Sequence, residues 1–535
     1  MIFLEPDAPP LTVSRADFCQ RAHRAAAALS ALGIPPRRLV IIAQAQNLDS
    51  IDLFWGALLI GAIPSMFPPL TDKLDPAVYR RNMAALAGRS DAAAVFTTPD
   101  AAPPLRAAFG ALCPVYTNAD LPDAESSPPY IPDPDEIAFL QHSSGTTGLQ
   151  KGVALSHRAV LTQLDHYSAA ISLTDSDSIV SWLPLYHDMG LIAAFMLPLV
   201  RGLPLILMSP FAWASRPAML LRAIDAYRPT FCWLPNFAYN HMAARVRPAD
   251  SADLDLSGIR AFINCSEPVR HDSHMAFLTR FSANGVQRDQ LAVSYAMAEN
   301  TFAVTQTPIG SPPTTRTLDR AALQSQGRAV DAPPDLAPEK TVVHVSCGAP
   351  ISGTQIKVVD AAGSDLPPDQ VGEIYVRSDC MLTEYYRRPD LQPFDQKGWY
   401  HTGDRGFLSA DGDLYVIGRS KDLIIHAGKN IFPQDIEAVV SGVAGVHPGR
   451  AVAFGMADAA EGTELIAIIA EVETDDPAVR KRINLDIRRC VGAQTDVTVN
   501  YVELVERGWL VKTSSGKIAR GENRAKWLEK RGLRD

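Results

Sequence analysis

The chain has 535 residues, of which 47% are hydrophobic, and its formal net charge is −9. This length predicts about two to four domains, because a single hydrophobic core does not grow to such a size. The acidic balance argues against general binding to nucleic acids or to an anionic membrane surface.

Seven cysteines lie scattered along the chain without paired spacing. This pattern favours reduced thiols over a disulfide framework or a zinc site. The first residues lack the basic start and the apolar segment of a signal peptide. No later apolar run reaches the roughly 18 residues that a membrane-spanning helix needs. We therefore expect a cytoplasmic protein without a membrane span.

Helical and strand patterns alternate through the first half of the chain. Helices are predicted within 11–34, at 49–59, from 159 onward, at 189–200 and at 216–227. Strands are predicted at 38–43, 62–64, 93–96, 114–116, 137–140, 178–182, 204–208, 230–234 and 259–264. Strands that alternate with helices predict βαβ units and mainly parallel sheets.

The pattern changes after about residue 340. Short antiparallel strands are predicted at 342–346, 355–359, 373–376, 406–408 and 414–417, with an Asp-Gly turn at 411–412. Beyond 418–422, a small α+β unit is predicted from helices at 434–442 and 478–490 and strands at 450–454, 465–471 and 499–504. We therefore divide the chain into regions 1–418 and 419–535, with a hinge at Lys421 and Asp422.

Residues 142–157 form the most informative segment, and its loop at 142–152 is rich in glycine, serine and threonine and contains Lys151. Glycines let the backbone approach a ligand, while amide N–H groups, hydroxyls and an ammonium group supply donors for a phosphate chain. The predicted strand at 137–140 leads into the segment, but the spacing is not that of a Walker loop. Composition alone is equally compatible with a flexible surface loop.

Four further segments follow this loop in a fixed order: residues 182–190, 294–299, 398–404 together with 418–422, and 512–518. In order and content, the five segments resemble the adenylate-forming superfamily of acyl-CoA synthetases, nonribosomal-peptide adenylation domains and luciferases. The resemblance runs from about residue 11 to residue 525. It implies an α/β fold with two α/β subdomains and a β-rich subdomain in the N-terminal region, followed by a small mobile α+β domain.

The resemblance also implies that ATP and Mg²⁺ serve to activate a carboxylic acid. Lys517 would bridge the substrate carboxylate and the α-phosphate, and Glu299 would hold Mg²⁺ as a hard oxygen ligand. Asp404 would accept from the ribose hydroxyls, Arg419 would donate to the ribose, and His187 would lie beside the carboxylate and gate the acyl pocket. The implied nucleotide-binding residues are Ser143, Ser144, Gly145, Thr146, Thr147, Gly148, Lys151, Ser266, Glu267, Tyr295, Ala296, Met297, Asp404 and Arg419.

Taken singly, these residues have ordinary interpretations. Glu299 alone would more often be a solvated or capping carboxylate, Asp404 a turn residue and Lys517 a surface lysine. His187 is also compatible with a loop histidine whose hydrogen bonds are satisfied. Their joint occurrence favours a catalytic site, because carboxylate activation needs the triphosphate held and the charge at the α-phosphorus neutralised.

Three features resemble one branch of the superfamily, the fatty acyl-AMP ligases. They are the segments 183–191, 235–239 and 267–270, the pair Ala298-Glu299, and a long interval before Cys347 that contains an insertion at about 310–340. This branch passes acyl groups from acyl-AMP to the phosphopantetheine thiol of an acyl carrier protein. An insertion that packs against the small domain would limit the rotation of that domain. The alternative is that the insertion is a solvated loop without a role. An acyl-CoA synthetase that uses CoA and a non-catalytic nucleotide- or acyl-binding homologue stay open as alternatives.

The predicted acyl pocket comprises His187, Trp233, Leu234, Asn236, Phe237 and Met297. Trp233 and Leu234 stand where fatty acyl-AMP ligases commonly carry small residues. An indole in the tunnel would remove volume and predicts an acid shorter than, or shaped differently from, a long fatty acid. The alternative is an indole packed in the core between sheet and helix. Two other departures are Ala296 in place of a glycine, and a first helix near residue 14 that suggests loss of an N-terminal strand found in many relatives.

Overall fold

The computed structural model describes residues 1–71, 75–125, 128–143, 151–426, 429–458, 463–495, 497–512 and 518–532. Its α-helices are, in chain order, α1 (Arg15–Ala31), α2 (Leu48–Leu59), α3 (Pro76–Arg89), α4 (Ala102–Phe109), α5 (His157–Ala170), α6 (Leu197–Arg201), α7 (Pro210–Ser215), α8 (Ala218–Tyr227), α9 (Asn236–Arg245), α10 (Pro248–Ser251), α11 (His271–Phe281), α12 (Arg320–Gln326), α13 (Pro433–Ser441), α14 (Pro477–Thr495) and α15 (Arg520–Arg531). A π-helix spans Met189–Met196.

The strands are, in chain order, β1 (Ile2–Leu4), β2 (Leu11–Thr12), β3 (Leu39–Ala43), β4 (Ile63–Met66), β5 (Ala94–Thr97), β6 (Val115–Tyr116), β7 (Ile137–Ser143), β8 (Lys151–Ser156), β9 (Ile179–Ser181), β10 (Leu205–Met208), β11 (Phe231–Leu234), β12 (Ala261–Asn264), β13 (Leu291–Ala296), β14 (Ala303–Gln306), β15 (Thr315–Asp319), β16 (Thr341–Val345), β17 (Ala349–Pro350), β18 (Thr354–Val359), β19 (Gly372–Ser378), β20 (Glu384–Tyr385), β21 (Tyr400–Leu408), β22 (Leu414–Arg419), β23 (Ile424–His426), β24 (Lys429–Ile431), β25 (Val446–Asp458), β26 (Thr463–Val472) and β27 (Tyr501–Val505).

Two largely parallel sheets form the framework of the N-terminal region. The smaller sheet has the order β4-β3-β5-β6 and is parallel throughout. The larger has the order β17-β14-β13-β12-β11-β9-β10-β1-β2 and is parallel from β13 to β1. Strands β3 and β11 are buried along their whole length, as expected for strands covered on both faces. The prediction of α/β subdomains on parallel sheets is confirmed.

The β-rich part is an antiparallel sheet of order β18-β19-β21-β22, as predicted. Gly412, in the predicted turn between β21 and β22, has a φ of +88°, which explains why a glycine occupies this turn. The insertion is not an extended loop, because β15 and β16 pair antiparallel and α12 lies between them in sequence.

The C-terminal region has its own cores around the sheet β25-β26-β27. Alternating residues of β25 point to opposite faces, so that Ala453 packs with α13 and α14 whereas Phe454 packs with α15. The predicted helices and strands of this region are confirmed: α14, β25 and β26 are longer than predicted, α13 is shifted by one residue, and β27 is one residue shorter. Helix α15 and the β23–β24 pair were not predicted.

Some local predictions were incomplete or wrong. Strand β8 follows the glycine-rich segment and pairs antiparallel with β7, so that α5 does not follow that segment directly. The N-terminal strand is present, because β1 pairs in parallel with β10. The helix predicted at 189–200 is a π-helix followed by α6. Within the described part of the chain, no helix combines the length and apolar composition that a bilayer crossing requires.

Candidate active site

Four of the predicted residues follow the carboxyl ends of four neighbouring parallel strands. β9 leads to His187, β11 to Asn236, β12 to Ser266 and β13 to Met297, and these strands lie side by side in the order β13-β12-β11-β9. In open α/β sheets, ligands bind beyond the carboxyl ends of the strands. The topology therefore gathers the nucleotide and acyl predictions at one edge of the large sheet.

Asp404 is the centre of one polar cluster. It lies opposite Arg419 in the β21–β22 pair, which places the two side chains next to each other. Arg419 Nε donates to Asp404 Oδ1 at 3.1 Å, and Tyr295 Oη donates to Oδ2 at 2.6 Å. Burial and the carboxylate of Asp404 raise the pKa of Tyr295 well above its usual value, so the phenol stays a donor. A carboxylate offers about four acceptor positions, so Asp404 can accept from further hydroxyls.

Glu299 belongs to a second polar cluster. Its Oε1 accepts from Tyr385 Oη at 3.1 Å, and that hydroxyl lies 3.0 Å from Tyr400 Oη. The β20–β8 pair brings Tyr385 beside Lys151, whose Nζ lies 4.7 Å from the ring centroid. Burial and the charge of Glu299 raise the pKa values of both tyrosines above their usual range. A lysine and a carboxylate thus contact one tyrosine, which suits a phosphate and its bound cation.

The sequence prediction missed Tyr385 and Tyr400. Tyr400 lies within the segment 398–404, so that motif contained a signal for it. Tyr385 had no such signal, since it reaches Lys151 only through strand pairing between residues far apart in the chain.

The predicted hinge lies next to these clusters. Burial lowers the pKa of Lys421, and the positive charge of Arg419 lowers it further. The positive charge of Lys151 also lowers the pKa of Lys421. Asp422 Oδ2 accepts from Arg520 Nη1 at 2.7 Å.

Ser266 and Glu267 lie where the nucleotide and acyl predictions meet. Ser266 has a φ of +68°, which non-glycine residues rarely adopt, and its Oγ lies 3.9 Å from Met189 Sδ. Glu267 Oε2 accepts from the backbone N–H of Phe237 at 2.9 Å. Strained backbone of this kind clusters at ligand sites.

His187 lies just before the π-helix. Its backbone N–H donates to Pro184 O at 3.2 Å, and its ring lies edge-on to Tyr186 with centroids 4.9 Å apart. Asp188 Oδ1 accepts from Met189 N at 2.8 Å at the start of the π-helix. Because π-helical turns are rare and frequent at functional sites, this geometry favours a functional position for the half-buried His187.

Trp233 is wholly buried between β11 and α5. Its Nε1 donates to Tyr167 Oη at 2.8 Å, and Tyr167 Oη donates to Gln306 Oε1 at 3.0 Å. The ring centroids of Phe231 and Trp233 are 5.9 Å apart, and those of Phe302 and Tyr167 are 5.1 Å apart. The indole is therefore fixed by both packing and a chain of buried hydrogen bonds.

Other predicted acyl-pocket residues have different surroundings. Asn236 bonds within the fold, since its Nδ2 donates to Ser273 Oγ at 3.0 Å and its Oδ1 accepts from Arg270 N at 3.0 Å. Leu234 is wholly buried, whereas Phe237 is 39% exposed. The exposed ring of Phe237 lies at the surface, where an incoming ligand could contact it.

Several predictions lie outside the described residues. These are Ser144, Gly145, Thr146, Thr147, Gly148 and Lys517, together with the side chain of Ser143. Among the residues that the structure describes, no group of three or more histidine, cysteine, aspartate or glutamate side chains is arranged to hold a metal ion. Mg²⁺ needs only one or two protein carboxylates when a phosphate supplies the rest, so Glu299 fits this chemistry.

The insertion packs against the C-terminal region. Leu318 and Leu323 share a buried apolar cluster with Phe432, which follows the hinge. On the same side, Arg270 Nη2 donates to Gln434 O at 2.6 Å, and its Nη1 lies 3.6 Å from Asp435 Oδ1. These contacts favour the predicted position of the insertion over that of a solvated loop.

The family model described as AMP-binding enzyme matches residues 8–386. The chain belongs to this family. It is 36% identical to the medium-chain fatty acid–acyl-carrier-protein ligase JamA of Moorena producens, over 74% of this chain and 68% of that protein. It is 33% identical to the long-chain fatty acid–AMP ligase FadD32 of Mycolicibacterium smegmatis, over 98% of this chain and 90% of that protein.

Solved structures give the same result for the fold. A structure from a study of fatty acyl-adenylate ligases of E. coli and L. pneumophila superposes with a TM-score of 0.92 at 28% identity, covering 99% of this chain and 95% of that one. A fatty acyl-adenylate ligase from L. pneumophila in complex with acyl adenylate and pyrophosphate gives a TM-score of 0.72 at 29% identity, covering 99% and 93%. The predicted resemblance, the fold class and the assignment as a ligase are confirmed.

Proposed function

We propose that the protein activates a fatty or related carboxylic acid with ATP and passes the acyl group to an acyl carrier protein. In the first step, a carboxylate oxygen attacks the α-phosphorus of ATP, the bond to the β-phosphate breaks, and pyrophosphate leaves. In the second step, a phosphopantetheine thiol attacks the acyl carbonyl, AMP leaves, and the thiol proton passes to solvent. The main support is the pair of polar clusters around Asp404 and Glu299 in a chain of the AMP-binding family.

We assign the phosphates to the segment from Ser143 to Gly148 and to Lys151. Asp404 and Arg419 then hold the ribose, since the carboxylate can accept from hydroxyls and the guanidinium can donate to them. Lys517 neutralises the charge that develops at the α-phosphorus. Bound Mg²⁺ would neutralise triphosphate charge, with Glu299 as its protein ligand. Catalysis then consists of positioning and charge stabilisation, without a covalent enzyme intermediate.

We further propose that 1–418 and 419–535 act as two bodies, joined at Lys421 and Asp422. The support is that residues from 424 onward build apolar cores of their own around β25 and β26. A cytoplasmic location is part of the same proposal, since all seven cysteines are free thiols.

A carrier protein is favoured over CoA as the acceptor. JamA is by name a ligase of an acyl-carrier-protein, and the insertion contacts Phe432 beyond the hinge. Such contact would restrict rotation of the small domain. That rotation would be required for a second reaction geometry.

The test measures pyrophosphate release with a panel of carboxylic acids, then supplies CoA or a holo-carrier protein and looks for each thioester by mass spectrometry. We expect pyrophosphate release with fatty or related acids and a thioester on the carrier protein. A thioester on CoA alone would favour an acyl-CoA synthetase. Absence of any pyrophosphate release across the panel would favour a non-catalytic binding protein.

The position of Trp233 also bears on the substrate. If β11 lines the acyl tunnel, the hydrogen-bonded indole shortens it, and we propose an acid shorter than a long-chain fatty acid. Adenylation rates measured from C4 to C16 acids check this, and a preference for C12 or longer acids would contradict it.

A further inference from the structure

Arg520 is the first residue of α15 and follows Lys517 by three positions. Its guanidinium is 17% exposed and makes hydrogen bonds through all three nitrogens. Nη1 donates to Asp422 Oδ2 at 2.7 Å, and Nη2 donates to the two carboxylate oxygens of Glu437 at 2.8 and 3.0 Å. Nε donates to the backbone oxygen of Ala453 at 2.9 Å.

These contacts join four elements that are distant in the sequence: the hinge, α13, β25 and α15. The partners also bond to one another, since Ala453 N donates to Glu437 Oε1 at 2.9 Å. Withdrawing three charges from water is costly, and well-packed apolar residues often stabilise a fold as much as such a network. The network is therefore more distinctive for fixing the orientations of its side chains than for its contribution to stability.

Lys517 precedes Arg520 by only three residues in the sequence, and three residues of fully extended chain span at most about 11 Å. The guanidinium of Arg520 contacts Asp422 directly. A turn at the hinge acts on the start of α15 through this ion pair as well as through the intervening chain.

We propose that Arg520 is a positioning residue that ties the chain segment bearing Lys517 to the hinge at Asp422. The proposal rests on the proposed adenylation function, in which Lys517 neutralises charge at the α-phosphorus. In this arrangement, the small domain delivers the lysine in one orientation relative to the hinge. Arg520 itself contacts neither substrate.

The test compares Arg520→Lys and Arg520→Gln with the wild type by steady-state pyrophosphate release. The lysine variant keeps the charge but loses the planar fork that reaches two carboxylates at once. We expect kcat to fall by about tenfold to 100-fold in both variants, because small misplacements of a catalytic group have effects of this size. KM for ATP should stay within about twofold, since the nucleotide-binding residues are untouched.

A matched control is Arg488→Gln. Arg488 is also partly buried in the C-terminal region and donates to Asn484 Oδ1 and to the backbone oxygens of Val499 and Asn500, but it has no described contact with the hinge. This variant should lose thermal stability to a similar extent without a specific fall in kcat. A kcat loss that matches that of Arg520→Lys would overturn the positioning role.

A double-mutant cycle with Asp422→Asn separates positioning from general stability. If both residues act through their mutual ion pair, the fold-loss of kcat in the double variant will be smaller than the product of the fold-losses in the two single variants. Multiplicative effects would refute the proposal. Should the Arg520 variants fail to fold, Glu437→Gln, which weakens the same fork, must lower kcat at unchanged KM; a wild-type kcat in that variant would also refute it. A wild type that releases no pyrophosphate would instead count against the proposed function.

Discussion

Around Asp404 and Glu299, polar side chains bond to one another, whereas around Trp233, aromatic rings fill the space. The first arrangement leaves a lysine, an arginine and two carboxylates within reach of a ligand. The second leaves the indole wholly buried, with its N–H satisfied by Tyr167. The half of the site that we propose binds the nucleotide is therefore organised by charge, and the half that we propose borders the acyl chain is organised by volume.

This difference indicates how each half can change. A polar cluster depends on a few exact residues, so that one substitution should alter binding of the nucleotide in the proposed reaction. An aromatic core depends on shape, so that one substitution alters which acid fits. The predictions below test this division.

The largest effect is expected for Lys517→Ala, on the nucleotide side. This variant lacks the positive charge that we propose neutralises the α-phosphorus. It should therefore lower the rate of pyrophosphate release by about a thousandfold or more, while ATP binding survives. Rates from a coupled pyrophosphate assay and nucleotide affinity from calorimetry measure the two quantities. The control is Lys526→Ala on α15, whose exposed side chain donates to Trp509 O. Near-normal release by Lys517→Ala would contradict its role.

A large effect of another kind is expected for Trp233→Ala, on the acyl side. Truncating a wholly buried indole should lower the free energy of unfolding by about 3 kcal/mol and extend the preferred acid toward longer chains. Denaturant unfolding and adenylation of C4 to C16 acids measure both.

The matched control for that variant is Tyr167→Phe. It leaves the Trp233 N–H and the Gln306 carbonyl without their shared hydroxyl, which should cost about 1–3 kcal/mol, but it hardly changes volume. We expect no shift in chain-length preference for Tyr167→Phe. A shift of the same size in both variants would show that volume at Trp233 is not what selects the acid.

A pH-dependent effect should come from one histidine in each half. His142 shares a hydrogen bond with Ser65 Oγ close to the predicted phosphate-binding segment. His274 shares a hydrogen bond with Asn264, which lies close to Asn236. Burial lowers the pKa of each from 6.5 to about 4, with His271 contributing for His274. Between pH 6.5 and pH 4 each histidine binds more protons in the unfolded chain than in the folded protein. The free energy of unfolding therefore falls as the pH falls from 6.5 toward 4. At pH 5 the loss is about 2 kcal/mol for each histidine.

Urea unfolding at pH 7.5 and pH 5 measures this loss, and His142→Gln and His274→Gln should each remove their own share of it. Other groups titrate equally in all three proteins, so the difference between variants isolates the histidines. An unchanged pH dependence in both variants would disprove the assignment.

The smallest effect is expected for Asp404→Asn. Loss of the charge weakens charge-assisted hydrogen bonds to the ribose, so KM for ATP should rise about tenfold with a stable fold. Asp360→Asn is the control, because its carboxylate, in the same β-rich part, accepts from the backbone N–H groups of Ala362 and Ser364. A shift in acid preference without a change in KM for ATP would break the division between the halves.

Much of the fold could be predicted from local patterns. The predicted strand at 38–43 matches β3 apart from its first residue, and the predicted helix at 478–490 lies inside α14. Strand β1 was missed because it is short and pairs with β10, far along the chain. Strand β8 was missed although it pairs with the preceding strand β7. The π-helix after Asp188 has a composition that also suits an α-helix, so that no local pattern distinguishes it.

The candidate site shows the same limit. Asp404, Arg419, Tyr295 and Glu299 could be predicted because they lie in ordered motifs, and strand pairing places them in two clusters. The contact of Lys151 with Tyr385 could not, since it depends on an edge strand that pairs with β8. Whether Trp233 faced a tunnel or a core likewise depended on the position of Tyr167, which no motif marks.

The packing of Phe432 on Leu318 and Leu323 has a consequence for how often the small domain leaves its described position. Phe432 is 2% exposed, and freeing such a side chain from apolar neighbours costs about 1.5–3 kcal/mol. A cost of this size reduces the undocked population by roughly tenfold to 150-fold relative to a protein without the contact. In the proposed two-body arrangement, the insertion shares this cost with Phe407, Tyr415 and Ile417 of the same cluster. Any step that needs another orientation of the small domain would therefore be slowed in part by the insertion.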